Sequence, residues 1–258
     1  MLPSEPSQLS HAAPVDSSWK GLCVVGGITA LFTTALVPAE IVIGLLPGVE
    51  DIVNRTIAVT DWFTLFRTHW FLGLRNLGLL NMVGVVLLAP TILAIYSVLR
   101  RDTEAYAALA AIIFFVGMAV YLASNRAFPM LFLSHQYVRA TTEAQRSLLA
   151  AAGQTMLAEA ESRSGILVIE LALLLASALM LRGRVFSRVT ACMGMVGNML
   201  MMILEIAFMP PHGVGMVVAA AGGLSTVVWY FLVGRRLLQL GRLLTGDRSL
   251  EHFGESRC

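Results

Sequence analysis

Residues 165–209 read GILVIELALLLASALMLRGRVFSRVTACMGMVGNMLMMILEIAFM. Two long apolar runs meet at a short connection holding Arg182, Arg184 and Arg188, and each run contains a single carboxylate, Glu170 or Glu205. A bilayer's hydrocarbon core takes ~20 apolar residues as helix, and lipid offers no partner for an exposed backbone N–H or C=O. Both runs must therefore be membrane-crossing helices.

The same pattern recurs on either side. Spans are expected at about 21–46 (broken by Pro38), 71–99 (containing Pro90), 105–124, 165–181, 185–209 and 213–233. The 258 residues are 57% hydrophobic and only 13% charged, against about 25% charged in a soluble domain. Mean hydropathy is +0.76. The expected fold is all-α, a polytopic integral membrane bundle of six transmembrane helices over residues 19–242, with an extra outer amphipathic helix. Residues 1–18, rich in Ser and Pro, and residues 243–258 are expected as disordered tails. The first tail has no positive n-region, so the first span is expected to remain as an anchor.

Basic residues set the orientation. Lys20, Arg100, Arg101, Arg182, Arg184, Arg188, Arg235, Arg236 and Arg242 all fall on one face of a six-span layout. The opposite loops hold Arg55, Arg67, Arg126, Arg139, Arg146 and Arg163, diluted over longer segments with acids. Both termini are expected on the cytoplasmic side of the plasma (inner) membrane. Cys23, Cys192 and Cys258 then lie toward the reducing side, and a disulfide framework is not expected.

Two outer loops carry further signals. Trp62, Phe63, Phe66 and Trp70 suit an aromatic belt at the membrane interface, and Asn54-Arg55-Thr56 is a glycosylation sequon that matters only in a eukaryote. Between residues 126 and 163, Thr142-Glu143-Ala144-Gln145 has capping-box spacing and opens an amphipathic helix to about Ala160. Leu148, Leu149, Ala152, Met156 and Leu157 would lay it on the membrane surface or over the bundle; an interfacial helix is favoured over a gating lid.

The candidate site comes from charges placed where lipid should be. Glu40, Arg75, Glu170 and Glu205 sit inside apolar runs, where a charge costs roughly 3 kcal/mol or more and marks a bundle interior or a function. Counting at ~1.5 Å per residue from Pro47, Trp70, Ser164 and Pro210 puts each ~8–10 Å inside its outer end. Helices running in opposite directions thus bring the four to one level. Asn76, Tyr121, Ser124, Asn125 and Asn198 reach the outer half, and Asn198 shares a helix face with Glu205. Three carboxylates against one guanidinium cannot all be ionised cheaply in low dielectric: one could pair with Arg75 in a bidentate contact, and the others should be pushed toward protonation. The set suits a proton carrier, a general acid or a receptor for a cationic ligand. Equally, Arg75 could snorkel to the surface and each Glu could simply bond a neighbouring helix.

Other constellations say less. Cys192, Met195, Met199 and Met202 form one helical stripe of soft sulfur that would suit Cu(I), although packing explains it better and no metal is expected. Gly215, Ala219 and Gly223 form a small-residue seam on the sixth span, for another helix or a second copy of the chain. The single lysine, Lys20, lies outside the spans, which excludes a buried Schiff base. No facing His pair suits haem or zinc, and no phosphate-binding loop is present. No cofactor is expected, and a net charge of +2 gives no reason to expect nucleic acid. The expected partners are membrane lipids and a small-molecule ligand or proton.

The run Trp62 to Leu77, the stretches Val120 to Asn125 and Ala140 to Arg146, and the closing Gly234-Arg235-Arg236-Leu237 look familiar. With the six-span layout they resemble a family of bacterial membrane proteins classed as a domain of unknown function, the DUF4386 type, over most of residues 20–242. The resemblance implies a six-helix fold and carries no activity or catalytic residue with it. Three roles stay open: a small-molecule or proton-coupled binding or transport protein with an outward-facing polar pocket, an intramembrane enzyme using a protonated Glu on a lipid or isoprenoid, and a structural or accessory subunit.

Overall fold

The computed structural model describes residues 17–44, 58–158, 163–183, 185–207 and 213–255. Residues 1–16, the Asn54 sequon with Arg55, Pro47-Gly48, Arg184 and Pro210 to His212 lie outside the described residues. Among the described residues the regular structure is helical. Five helices are long and apolar enough to cross a membrane: α1 (Ser17–Gly44), α4 (Leu79–Ser124), α7 (Arg163–Arg182), α8 (Arg188–Ala207) and α9 (Val214–Glu255). Four shorter ones, α2 (Val59–Thr68), α3 (Trp70–Asn76), α5 (Ala127–Arg139) and α6 (Glu143–Ala158), gather at one end.

Straight, the 46 residues of α4 would reach ~69 Å, twice the thickness of a bilayer core. Its ends nevertheless meet. The Asn125 side-chain amide donates to the Leu77 carbonyl at 3.2 Å, and the Tyr121 hydroxyl lies 3.4 Å from where a Cβ on Gly78 would stand. The helix turns back at Thr103, whose φ of −147° and ψ of 52° are not helical. Residues 79–102 and 104–124 are thus two antiparallel arms, corresponding to two of the expected spans.

The long helices close on themselves. α1 packs on α4, α4 on α7, α7 on α8, α8 on α9, and α9 returns to α1. Lipid tails are as apolar as leucine, so the ring is held by close packing and small polar bonds rather than by the hydrophobic effect. Where α1 meets α4, Thr91 Oγ1 donates to the Gly26 carbonyl at 2.9 Å and lies 3.0 Å from Thr29 Oγ1. Where α4 meets α7, Gly117 faces the backbone of Ile169 and Gly165 faces the backbone of Tyr121. Outward-facing Ile28, Phe32, Ile112, Val116, Ile203 and Val217 are exposed, as a lipid-facing belt requires. Inside the ring, at the end away from the short helices, Ile95, Phe114, Met180, Trp229, Val233 and Leu237 fill the space.

The short helices form a cap with its own core of Val59, Phe63, Phe66, Leu74, Met130 and Leu133. Several expectations change here. Phe63 and Phe66 are buried in the cap rather than resting at the interface, while Trp70 is 58% exposed. The expected span at 71–99 starts only at Leu79, because α3 ends at Asn76 and Gly78, with φ +90°, redirects the chain. Replacing Gly78 by Ala should cost about 1–2 kcal/mol through that positive φ, read as a lower melting temperature in detergent. Helix α5 stands where no helix is expected. Helix α6 exists as expected, with Gln145 N–H donating to Thr142 Oγ1 at 3.3 Å, but its Gly153 packs on Val59 and Phe63. It therefore covers the cap rather than the bundle, with Leu148 turned outward. At the other end of the chain, α9 continues helical to Glu255, past residue 243 where a tail is expected.

Candidate functional site

A cavity of about 330 Å³ lies inside the ring at the cap end. Glu40 of α1, Tyr121 of α4, Glu170 of α7, Asn198 and Glu205 of α8, and Tyr230 of α9 supply its principal polar groups. Leu36, Leu88, Ile169, Leu173, Met201 and Val227 are among its apolar walls. The ring geometry is what turns these side chains inward. Glu170 follows Ile169, whose backbone nitrogen would lie only 2.8 Å from a Cβ on Gly117, so the α4–α7 crossing fixes its position. Asn198 is 2% exposed and donates to the Gly194 carbonyl at 2.6 Å; Glu205, seven residues on, lies on the same helix face.

Glu170 is 6% exposed, and its Oε2 has no hydrogen-bond partner. A buried polar atom left unbonded costs about 1–3 kcal/mol, so the position is destabilising as it stands. Glu170 and Glu205 lie within electrostatic reach of each other, as do Glu170 and Tyr230, and Glu40 and Tyr121. One turn deeper than Asn198, Ser177 and Trp229 are fully buried around Gly194, and neither Ser177 Oγ nor Trp229 Nε1 has a partner.

Four of the six expected ligand-binding residues, Glu40, Glu170, Asn198 and Glu205, therefore line one cavity. Arg75 and Asn76 do not. They end α3 in the cap, where Arg75 Nη2 donates to the main-chain carbonyl of Glu40 at 2.6 Å and Nη1 to Asn76 Oδ1 at 2.9 Å. Arg75 thus lies within electrostatic reach of the Glu40 carboxyl, while its hydrogen bond to the main chain latches the cap to the last turns of α1. A cation is favourable there, because the helix dipole is negative at that end. Arg75 is also 7% exposed and does not snorkel. Its placement was misjudged because the chain break at Gly78 moved it from a span into the cap.

Tyr230, Thr226, Thr33 and Asn81 line the cavity and were not singled out from sequence. Thr226 and Tyr230 are four apart on α9, so a polar stripe in an apolar run could have flagged them. Of the expected seam on this helix, Gly215 is buried but Gly223 is not in a helix contact. A Cβ on Gly222 would approach Leu200 of α8, whereas Gly223 faces the cavity with nothing within 4 Å. The sulfur stripe does not converge inward. Cys192 and Met199 are exposed, and Met201, outside the stripe, is the methionine that reaches the cavity. No group of three or more His, Cys, Asp and Glu residues that could hold a metal occurs among the described residues.

An apolar belt, a closed ring of long helices and polar groups turned inward define a helical integral membrane protein. The sequence model of a domain of unknown function, DUF4386, matches residues 22–234, and the chain belongs to this family. No match emerges among curated proteins or among solved structures.

Proposed function

We propose that this chain is a six-pass plasma-membrane protein, both termini cytoplasmic, that binds a small molecule in the ring cavity as a transport or proton-coupled carrier. The single observation that carries this reading is the convergence of Glu40, Glu170, Glu205 and Asn198, from three helices, on one cavity at the cap end. Its volume lies at the low end of the ~300–1,000 Å³ usual for small-molecule sites. The orientation rests on Arg100, Arg182, Arg235 and Arg242 standing at the end opposite the cap, with the two arms of α4 counted as separate crossings. A purely helix-locking role is disfavoured by Glu170 Oε2, since a locking carboxylate needs its oxygens bonded.

Gly223 offers a clean test. Leucine there meets open space at Cβ, intrudes into the cavity and removes a helix-interior glycine worth up to about 1 kcal/mol of propensity. Native mass spectrometry of gently solubilised wild-type protein should reveal a bound small molecule, absent from Gly223→Leu at equal or higher melting temperature. The same adduct on both proteins, or none on the wild type, would count against the cavity as a binding site.

A further inference from the structure

We infer that the ligand of this cavity is a small organic monocation, an ammonium-type centre carrying apolar substituents. The inference rests on the binding role proposed above and concerns only the kind of ligand.

Three carboxyl side chains line the cavity, and no Lys, Arg or His side chain is among its described lining residues. The Arg75 guanidinium, within electrostatic reach of Glu40, donates to the Glu40 main chain and to Asn76. An anion entering here would meet carboxyl groups and hydroxyl or amide dipoles along the described walls. A cation would meet the carboxyl group of Glu170, which lines the cavity and whose buried Oε2 has no hydrogen-bond partner, with Glu205 in electrostatic reach. Burial raises the strength of such a contact well above its value in water.

The walls separate an organic cation from a bare metal ion. A hard ion such as Ca²⁺ needs about six to eight oxygen ligands, which apolar walls like Leu88, Leu173 and Val227 do not offer. An alkylammonium asks for less: one or two carboxylates, apolar surface for its substituents and aromatic faces for its charge. Tyr121 and Tyr230, both nearly buried, bring two rings to the cavity.

The test uses the full-length protein in nanodiscs and three probes of similar shape. Benzyltrimethylammonium carries a permanent charge, neopentylbenzene is its neutral carbon isostere, and benzoate is an anion of comparable size. Calorimetric titration should give saturable binding of the cation, at least about tenfold tighter than either comparator. That binding should weaken about tenfold or more in Glu170→Gln, a near-isosteric change, and disappear in Gly223→Leu. Neopentylbenzene or benzoate binding as well as the cation, with loss in Gly223→Leu, would leave the cavity as a binding site and overturn its preference for cations. No cation binding up to about 10 mM would overturn the inference as well, while the mass-spectrometric test still decides whether the cavity holds another ligand.

Discussion

Gly165→Leu is expected to destabilise the bundle by about 3 kcal/mol or more, at the upper end of overpacking costs. A Cβ at this position would lie 2.7 Å from both the backbone nitrogen and the Cα of Tyr121. Backbone atoms cannot swing away as a side-chain tip can, so the α4 and α7 axes must separate. The crossing has a matching glycine on its other side, Gly117, 2.8 Å from the Ile169 nitrogen in the same construction. Parting these helices would also move Tyr121 and Glu170, one residue from Ile169, out of the cavity wall. Thermal unfolding in detergent checks this, with Gly223→Leu as the control for an added leucine in open space. The close-packed reading of the crossing is lost if Gly165→Leu melts within about 2 °C of wild type, since 1 kcal/mol shifts the melting temperature of a chain this size by roughly 2–4 °C.

Glu170→Leu is expected to do the reverse. Its carboxyl sits almost fully buried with one oxygen unbonded, and exchanging it for an apolar group of similar volume removes that penalty. Stability should rise by about 1–3 kcal/mol while ligand binding is lost. A gain in stability with a loss of binding is the mark of a residue kept for function at the expense of the fold. Two measurements on one variant decide it: melting temperature, and the bound small molecule by native mass spectrometry. Should the melting temperature instead fall while the adduct persists, Glu170 locks helices together, and the accessory-subunit role becomes the better account.

Most of the candidate site was legible because membrane depth is a one-dimensional quantity. A charge in an apolar run has a depth fixed by residue counting, and Glu40, Glu170 and Glu205 could be placed at one level from helix ends alone. Which way a side chain turns around its helix is another matter, and it depends on the neighbour. Cys192 and Met199 share a stripe with Met195 and Met202 yet face outward, while Met201 faces in. Arg75 was misread for a related reason. The run from Phe71 to Leu99 is apolar enough to read as one span despite Arg75, Asn76 and Asn81, and the break falls just after Arg75-Asn76, at Gly78 with its positive φ. The cap itself was hardest to foresee. Its short helices bury aromatic residues against one another, and Phe63 or Phe66 would look the same resting in lipid headgroups.

The sequence by itself determined that this chain is built of helices long and apolar enough to cross a membrane, and that Glu40, Glu170 and Glu205 sit at a common level along them. Lipid imposes those properties on each segment separately, through length, apolarity and the need to bond its own backbone. Only the tertiary structure decided that α9 closes on α1, that α4 folds back at Thr103, and that three carboxylates share one cavity while Arg75 latches the cap. Those outcomes depend on where glycines let two backbones touch, and such contacts belong to pairs of helices rather than to any one run of residues.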